Sequence, residues 1–300
     1  NGNPVDSRSL HYIHPHEPNQ YMIALQSVGE IIEDYDTDKM FPALGFGAKV
    51  PPQYEVSHEF FLNFHPTDPL CRGVEGILAA YRQAIISVQL YGPTNFAPVI
   101  YHVAKFAQAA ARDGSHYFVL LIVTDGIVTD MERTRDAIVH ASALPMSIII
   151  VGVGQEDFSA MEALDSDKQR LKATNGSFAQ RDIVQFVPFR KYQHSGSNWT
   201  AAQAALAKEV LCEVPKQLTT WMRSRGIVPK PPPPQYAGNN APAVPYPPGL
   251  GGAIPPSTYS SPPQNYAPQT AYSQFQGAAP LPPPPAYSMY SQAPTFPPPY

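Results

Sequence analysis

The distribution of proline constrains this chain more than any other feature. Of its 36 prolines, 13 fall in residues 1–228 and 23 in residues 229–300. Each proline fixes its own φ and removes a backbone donor, so a dense run of them suits neither a helix interior nor a sheet. The second stretch has a single charged side chain, Lys230, and too few Leu, Ile, Val and Phe to offset the entropy of ordering a chain. The first stretch has a domain's length and can bury a substantial core. The expected organisation is a folded domain over residues 1–228 and a disordered Pro/Tyr-rich tail over 229–300.

With Lys230 set aside, the folded part carries 19 basic and 24 acidic residues. A surface that displaces counterions from nucleic acid needs the opposite balance, so no nucleic-acid partner is expected. Two distant cysteines, Cys71 and Cys212, form no disulfide framework, which favours a reduced intracellular, cytoplasmic protein. The apolar runs at 118–124 and 146–153 are too short to span a bilayer. The opening Asn1-Gly2-Asn3-Pro4, without Met, reads as the start of a fragment or a processed product.

Apolar spacing predicts a helix over 22–35, with Met22, Leu25, Val28, Gly29 and Ile32 on one face, then a buried strand over 40–48. A strand over 56–64 and helices over 70–88 and 96–112 follow. The β-branched and aromatic run at 116–124 is a strand that ends in Asp125-Gly126. Thr129-Asp130-Met131-Glu132 has the form of a capping box opening a helix over 130–143. Strands over 147–153 and 183–189 flank a short helix over 158–164, and a last helix over 200–225 is kinked or divided by Pro215. Strands alternating with helices in this way indicate an α/β fold, a doubly wound, mostly parallel sheet flanked by helices and Rossmann-like in arrangement. Ligands of such sheets sit outside the carboxyl ends of the strands. That rule selects residues 45–49, 125–129 and 152–157, with the loop 92–95 beside them.

Within this set Asp125 projects from a strand end, and Thr94 lies in the Gly-Pro-Thr-Asn loop. A carboxylate and a hydroxyl are hard oxygen ligands suited to a divalent cation, Mg²⁺, Mn²⁺ or Ca²⁺. Two ligands alone do not complete a metal site. A lone Asp at a strand end is about as often a helix cap or turn residue as a ligand.

Several segments carry a family resemblance. Ser9-Leu10-His11-Tyr12-Ile13, the run from Asp34 to Gly47, Tyr91-Gly92-Pro93-Thr94-Asn95-Phe96-Ala97-Pro98, Thr124-Asp125-Gly126 and Leu144-Pro145-Met146-Ser147 resemble, in order, the A domain of copines. The resemblance covers about residues 1–228. It implies a domain similar to the von Willebrand factor A and integrin inserted domains, and a parent that binds phospholipid in a calcium-dependent way through two C2 domains not found here. It also implies a metal-ion-dependent adhesion site, in which an Asp-x-Ser/Thr-x-Ser segment after the first strand joins a Thr and an Asp from later loops. Thr94 and Asp125 match those later elements; the first element and first strand are expected just before Asn1. By the same resemblance the domain is a non-enzymatic module for intracellular protein partners. The parent is expected to be cytoplasmic, with calcium-dependent recruitment to the plasma membrane. A ubiquitin ligase of the plant type, which carries a similar A domain and a zinc-binding RING, is the alternative. After Arg225, however, this chain holds no Cys or His.

Other patterns carry less. Asp34, Asp36 and Asp38 begin like a calcium loop, but Lys39 replaces the expected Gly and Gly45 the closing Glu. His11, His14 and His16 lie in a Pro-marked segment expected to be an exposed loop. Gly152-Val153-Gly154 lacks the third glycine of a dinucleotide fingerprint, Asp157 standing there. No Gly-x-Ser-x-Gly elbow occurs. In the tail, Pro233-Pro234-Gln235-Tyr236, Pro284-Pro285-Ala286-Tyr287 and Pro297-Pro298-Pro299-Tyr300 fit the Pro-Pro-x-Tyr ligand pattern of WW domains, in which prolines fill an aromatic groove. Three copies would allow multivalent binding.

Overall fold

A computed structural model describes residues 3–36, 38–165, 169–193 and 199–228. The irregular segment before residue 20 enters helix α1 (Gln20–Glu33) through Asn19, whose side-chain oxygen accepts from Met22 N at 2.9 Å. Six short strands follow: β1 (Met40–Pro42), β2 (Leu44–Gly45), β3 (Ala48–Val50), β4 (Glu55–Ser57), β5 (Phe60–Phe61) and β6 (Leu70–Arg72). Then come α2 (Gly73–Ser87), β7 (Gln89–Leu90), α3 (Ala97–Ala110), β8 (Phe118–Thr124), α4 (Met131–Ala141) and β9 (Met146–Gly152). The chain continues through α5 (Ser159–Glu162), β10 (Val184–Pro188), α6 (Arg190–Gln193), α7 (Trp199–Leu211) and α8 (Val214–Ser224).

The centre is a parallel sheet in the order β10-β9-β8, with Leu120 opposite Ile148 and Phe186 opposite Ile150. All seven residues of β9 are buried. Successive side chains of a strand point to opposite faces, and β9 uses both. Met146, Ile148 and Ile150 pack with Ile100 of α3, Ile138 of α4, Phe158 and Met161. Ile149, Val151 and Val153 pack with Met22 and Val28 of α1, Val74 and Leu78 of α2, and Leu206 and Val210 of α7. This is why the run reads as unbroken apolar rather than alternating: a strand covered on both faces has no solvent side. Each fully buried Ile contributes about 1.5–3 kcal/mol. The fold is therefore mixed α/β with a parallel sheet sandwiched between helices.

Strand β8 is at the edge of this sheet. Among the described residues its one strand partner is β9, and Val119, on an apolar strand, is 37% exposed. Helix α8, the last among the described residues, is tied to the segment that leads into β9. Trp221 Nε1 donates to the Ala143 carbonyl at 3.2 Å. The half-buried Arg181 guanidinium donates to Tyr117 Oη and to the Leu144 and Met146 carbonyls.

The single strand expected over 40–48 is a correction. The segment breaks into β1, β2 and β3, which pair antiparallel with β6, β5 and β4 respectively. Pro42 can give the ladder no donor, and Gly47 turns the chain at φ +69. The strand over 56–64 likewise divides into β4 and β5. The helix expected from residue 70 begins as β6 and turns at Gly73, φ +61, into α2. Pro215 falls in the first turn of α8, where a missing amide costs nothing, and the expected division occurs there. Among the described residues no helix is long and apolar enough to cross a membrane. The tail motifs at Pro233, Pro234 and Tyr236, Pro284, Pro285 and Tyr287, and Pro297, Pro298 and Tyr300 lie outside the described residues.

Candidate metal site at the carboxyl edge of the sheet

Asp125 follows the last residue of β8, and Gly126, buried with φ +128, bends the chain away from the strand. A Cβ at Gly126 would come within 3.0 Å of Glu156 Cβ and 3.1 Å of the Phe158 ring. The turn thus requires glycine for conformation and for space. Asp125 and Thr94 are both half-buried.

Thr94 comes from a separate loop, and two residues fasten that loop to the one after β8. Thr129 donates its backbone N–H and its hydroxyl to the Thr94 carbonyl, at 2.9 and 2.8 Å, and its hydroxyl also meets Asn95 Oδ1 at 2.9 Å. Asp130 accepts from Phe96 N at 2.9 Å and Ala97 N at 3.0 Å, the free amides at the start of α3, and from Thr134 Oγ1 at 3.0 Å. The capping box expected at Thr129 and Glu132 is therefore not formed. The Thr129 hydroxyl is taken by Thr94 and Asn95, and Asp130 caps α3, a helix that precedes it in the chain. A local pattern cannot reveal that, because the recipient amides are 33 and 34 residues away.

A third element reaches the same edge. The segment 9–20 crosses the ends of β8 and β9: Gln20 Oε1 accepts from Gly154 N at 2.8 Å, and a Cβ at Gly154 would meet Leu10 Cδ1 at 2.7 Å. A Cβ at Gly152 would similarly come within 2.8 Å of the Phe158 ring. Both glycines of the Gly-x-Gly pattern therefore have packing roles. In this segment His14 and His16 are exposed as expected, whereas His11, in a turn, is not. Its ring stacks on Tyr21 with centroids 4.1 Å apart, and its Nδ1 lies 2.9 Å from Tyr81 Oη. Asn19 Nδ2 donates to the same hydroxyl at 3.2 Å. Burial pushes the His11 imidazole down to about 4, against the opposing pull of the nearby Asp125 carboxylate. Burial, with Asp125 adding to it, raises the Tyr21 phenol well above its ordinary range. His11 is thus neutral at pH 7 beside Asp125. Its stacking on a residue 10 positions away and its bond to another 70 positions away leave no periodic trace in the sequence.

Chemically, the Thr94 hydroxyl and the Asp125 carboxylate, on two loops fastened together, are oxygens of the kind a hard divalent cation takes. They would supply two of the six or more oxygens such an ion needs. Among the described residues no group of three or more His, Cys, Asp or Glu could hold a metal by itself. The Asp34, Asp36 and Asp38 run forms no such group; Asp38 instead accepts from Met40 N at 3.0 Å in a turn. Neither cysteine is paired in a disulfide, Cys71 being buried and Cys212 exposed.

A parallel sheet covered by helices, with an oxygen-bearing pair of loops at its carboxyl edge, defines an α/β domain with a candidate ligand site at the strand ends. The family model for copines matches residues 9–230. The chain belongs to the copine family.

Proposed function

We propose that the domain is a von Willebrand factor A-type, doubly wound module that acts without catalysis, binding protein partners through a divalent cation held by Thr94 and Asp125. The reading is supported above all by the fastening of the loop that carries Thr94 to the loop that carries Asp125, through Thr129 and Asp130. The cation, Mg²⁺, Mn²⁺ or Ca²⁺, would supply Lewis acidity toward a carboxylate of the partner. The chain's own residues hold the two loops in register and orient the ligands. The open edge of β8 supports a further parallel strand there, carrying the first metal-binding segment of such domains. Calcium-dependent phospholipid binding and recruitment to the plasma membrane belong, on this reading, to C2 domains of a cytoplasmic copine. The Pro-Pro-x-Tyr motifs ending at Tyr236, Tyr287 and Tyr300 give a second attachment, for WW-domain proteins. Partner capture in Mg²⁺ and in excess chelator, by wild type and by Thr94→Ala and Asp125→Ala, tests the first attachment. Capture is expected to need the metal and both side chains; equal capture by all three in chelator overturns the reading. Loss of WW-domain binding on joint replacement of Tyr236, Tyr287 and Tyr300 by Ala tests the second.

A further inference from the structure

A groove of about 630 Å³ lies between the segment before α1 and the end of α2. Its floor is Ile85 and Val88, both buried, and its walls carry Val5, Ile86 and Tyr91, which are 79%, 71% and 52% exposed. Exposed apolar side chains scattered singly are ordinary on a protein surface; three around one concavity are not. Among the described residues that line the groove, none is charged. Both walls are held in place. Asp6 N donates to the Asn3 carbonyl at 3.1 Å and Ser9 N to the Asp6 carbonyl at 2.9 Å, which folds the segment into turns. On the other side β7 pairs with β3, and Tyr91 N donates to the Gly47 carbonyl at 2.9 Å.

Each wall also leads to the carboxyl edge of the sheet. From Tyr91 the chain reaches Thr94 in three residues, a span of at most about 11 Å. From Tyr12, which also lines the groove, it is two residues back to Leu10, whose side chain lies against Gly154 just beyond β9. Lys49 supplies a positive charge at the rim, its Nζ 4.3 Å from the centroid of the Tyr91 ring. Asp6, next to Val5, is already engaged by Arg8 at 2.7 Å. A ligand that complements this surface is therefore apolar where it enters the groove and acidic beside it.

We infer that the groove and the cation site form one binding surface whose partner is an extended acidic segment of a protein, with a carboxylate on the cation and an apolar side chain, two to four residues away, in the groove. This rests on the reading of Thr94 and Asp125 as ligands of a divalent cation. An extended chain rises about 3.3 Å per residue, so two to four residues cover about 7–13 Å, the range that links Thr94 to Tyr91. The carboxylate fixes orientation, and the apolar residue selects among acidic partners, the division of labour common in ligand sites. An open groove covers a side chain only in part, so that residue is expected to be worth roughly fivefold to tenfold in affinity, less than full burial would give.

The experiment is selection on the full chain, in Mg²⁺, from a library of short peptides with one Asp fixed and its neighbours randomised, followed by affinities from fluorescence anisotropy. The selected peptides are expected to carry Leu, Ile, Val or Phe two to four residues from the Asp, and to bind roughly fivefold to tenfold better than the same peptides with Ala there. Ile86→Lys, at an exposed position of α2, is expected to erase that difference while binding still depends on Mg²⁺ and on the Asp. Val5→Lys, on the opposite wall, makes the same test if Ile86→Lys folds poorly. Mg²⁺-dependent binding with no apolar preference, or with a preference that both Lys variants retain, overturns the inference and leaves the cation site standing. Selection of proline-rich peptides, or self-association of the chain that Ile86→Lys abolishes, gives the groove another occupant and overturns it too. Peptide binding that is absent, or that ignores both Mg²⁺ and Asp125→Ala, overturns the cation reading and this inference with it.

Discussion

Replacing Asp130 by Ala removes a carboxylate that serves three donors at once. Oδ1 accepts from Phe96 N and Thr134 Oγ1, and Oδ2 from Ala97 N. Phe96, Ala97 and Thr134 are each 0% exposed, so water cannot replace the lost acceptor without opening the structure. Loss of an N-cap typically costs about 0.5–2 kcal/mol, and a hydrogen bond to a charged group about 1.5–3 kcal/mol. The three bonds share one side chain and do not add, so the expected loss is about 2–4 kcal/mol, a large fraction of the ~5–15 kcal/mol typical of a domain. Asp130→Asn keeps one acceptor oxygen and should lose about half as much. Urea unfolding at pH 7 followed by circular dichroism measures both. The Thr94 loop is also released, so Mn²⁺ affinity should fall in any Asp130→Ala protein that remains folded. A loss under about 0.5 kcal/mol, the range of an ordinary surface substitution, would refute the bridging role of Asp130.

Three further outcomes are expected. The depressed His11 makes stability pH-dependent with a definite sign. The unfolded chain takes the proton near pH 6.5 and the folded one only near 4, so stability is complete above about 6.5 and declines by roughly 3 kcal/mol as pH falls through about 4; chelator-treated His11→Gln should show a flatter profile over that window in urea titrations. Gly152→Ala places a methyl group 2.8 Å from the Phe158 ring, itself 1% exposed, and should cost about 1–3 kcal/mol in thermal unfolding. Arg181→Leu leaves the Leu144 and Met146 carbonyls without their guanidinium donor. It should destabilise by about 2–4 kcal/mol, whereas Arg170→Leu, on the exposed surface, should change stability by less than about 0.5 kcal/mol.

The parts of the fold that were readable in the sequence are those where burial acts on consecutive residues. Strand β9 stands out because a strand covered on both faces must be apolar at every position, β8 because its run is equally apolar although only its alternate residues Leu120, Ile122 and Thr124 are buried, and α1 because its apolar face repeats at helical spacing. Residues 40–48 are equally apolar and mislead for that reason: Pro42 and the positive φ of Gly47 break the run into strands that pair antiparallel with distant partners. At the site, Thr94 and Asp125 were accessible through strand ends and family resemblance. Thr129 and Asp130 were misassigned, since a capping-box pattern is local and their real partners belong to the loop before α3. His11 and Tyr21 gave no sign of their role, because stacking across segments leaves no spacing to read.

The most direct measurement of the central claim is Mn²⁺ binding by wild type, Thr94→Ala and Asp125→Ala, each shown to be folded by circular dichroism. The account predicts one site in the wild type that is weakened by at least about tenfold in each variant, as expected when a direct oxygen ligand is removed. Affinity unchanged in both variants would contradict it.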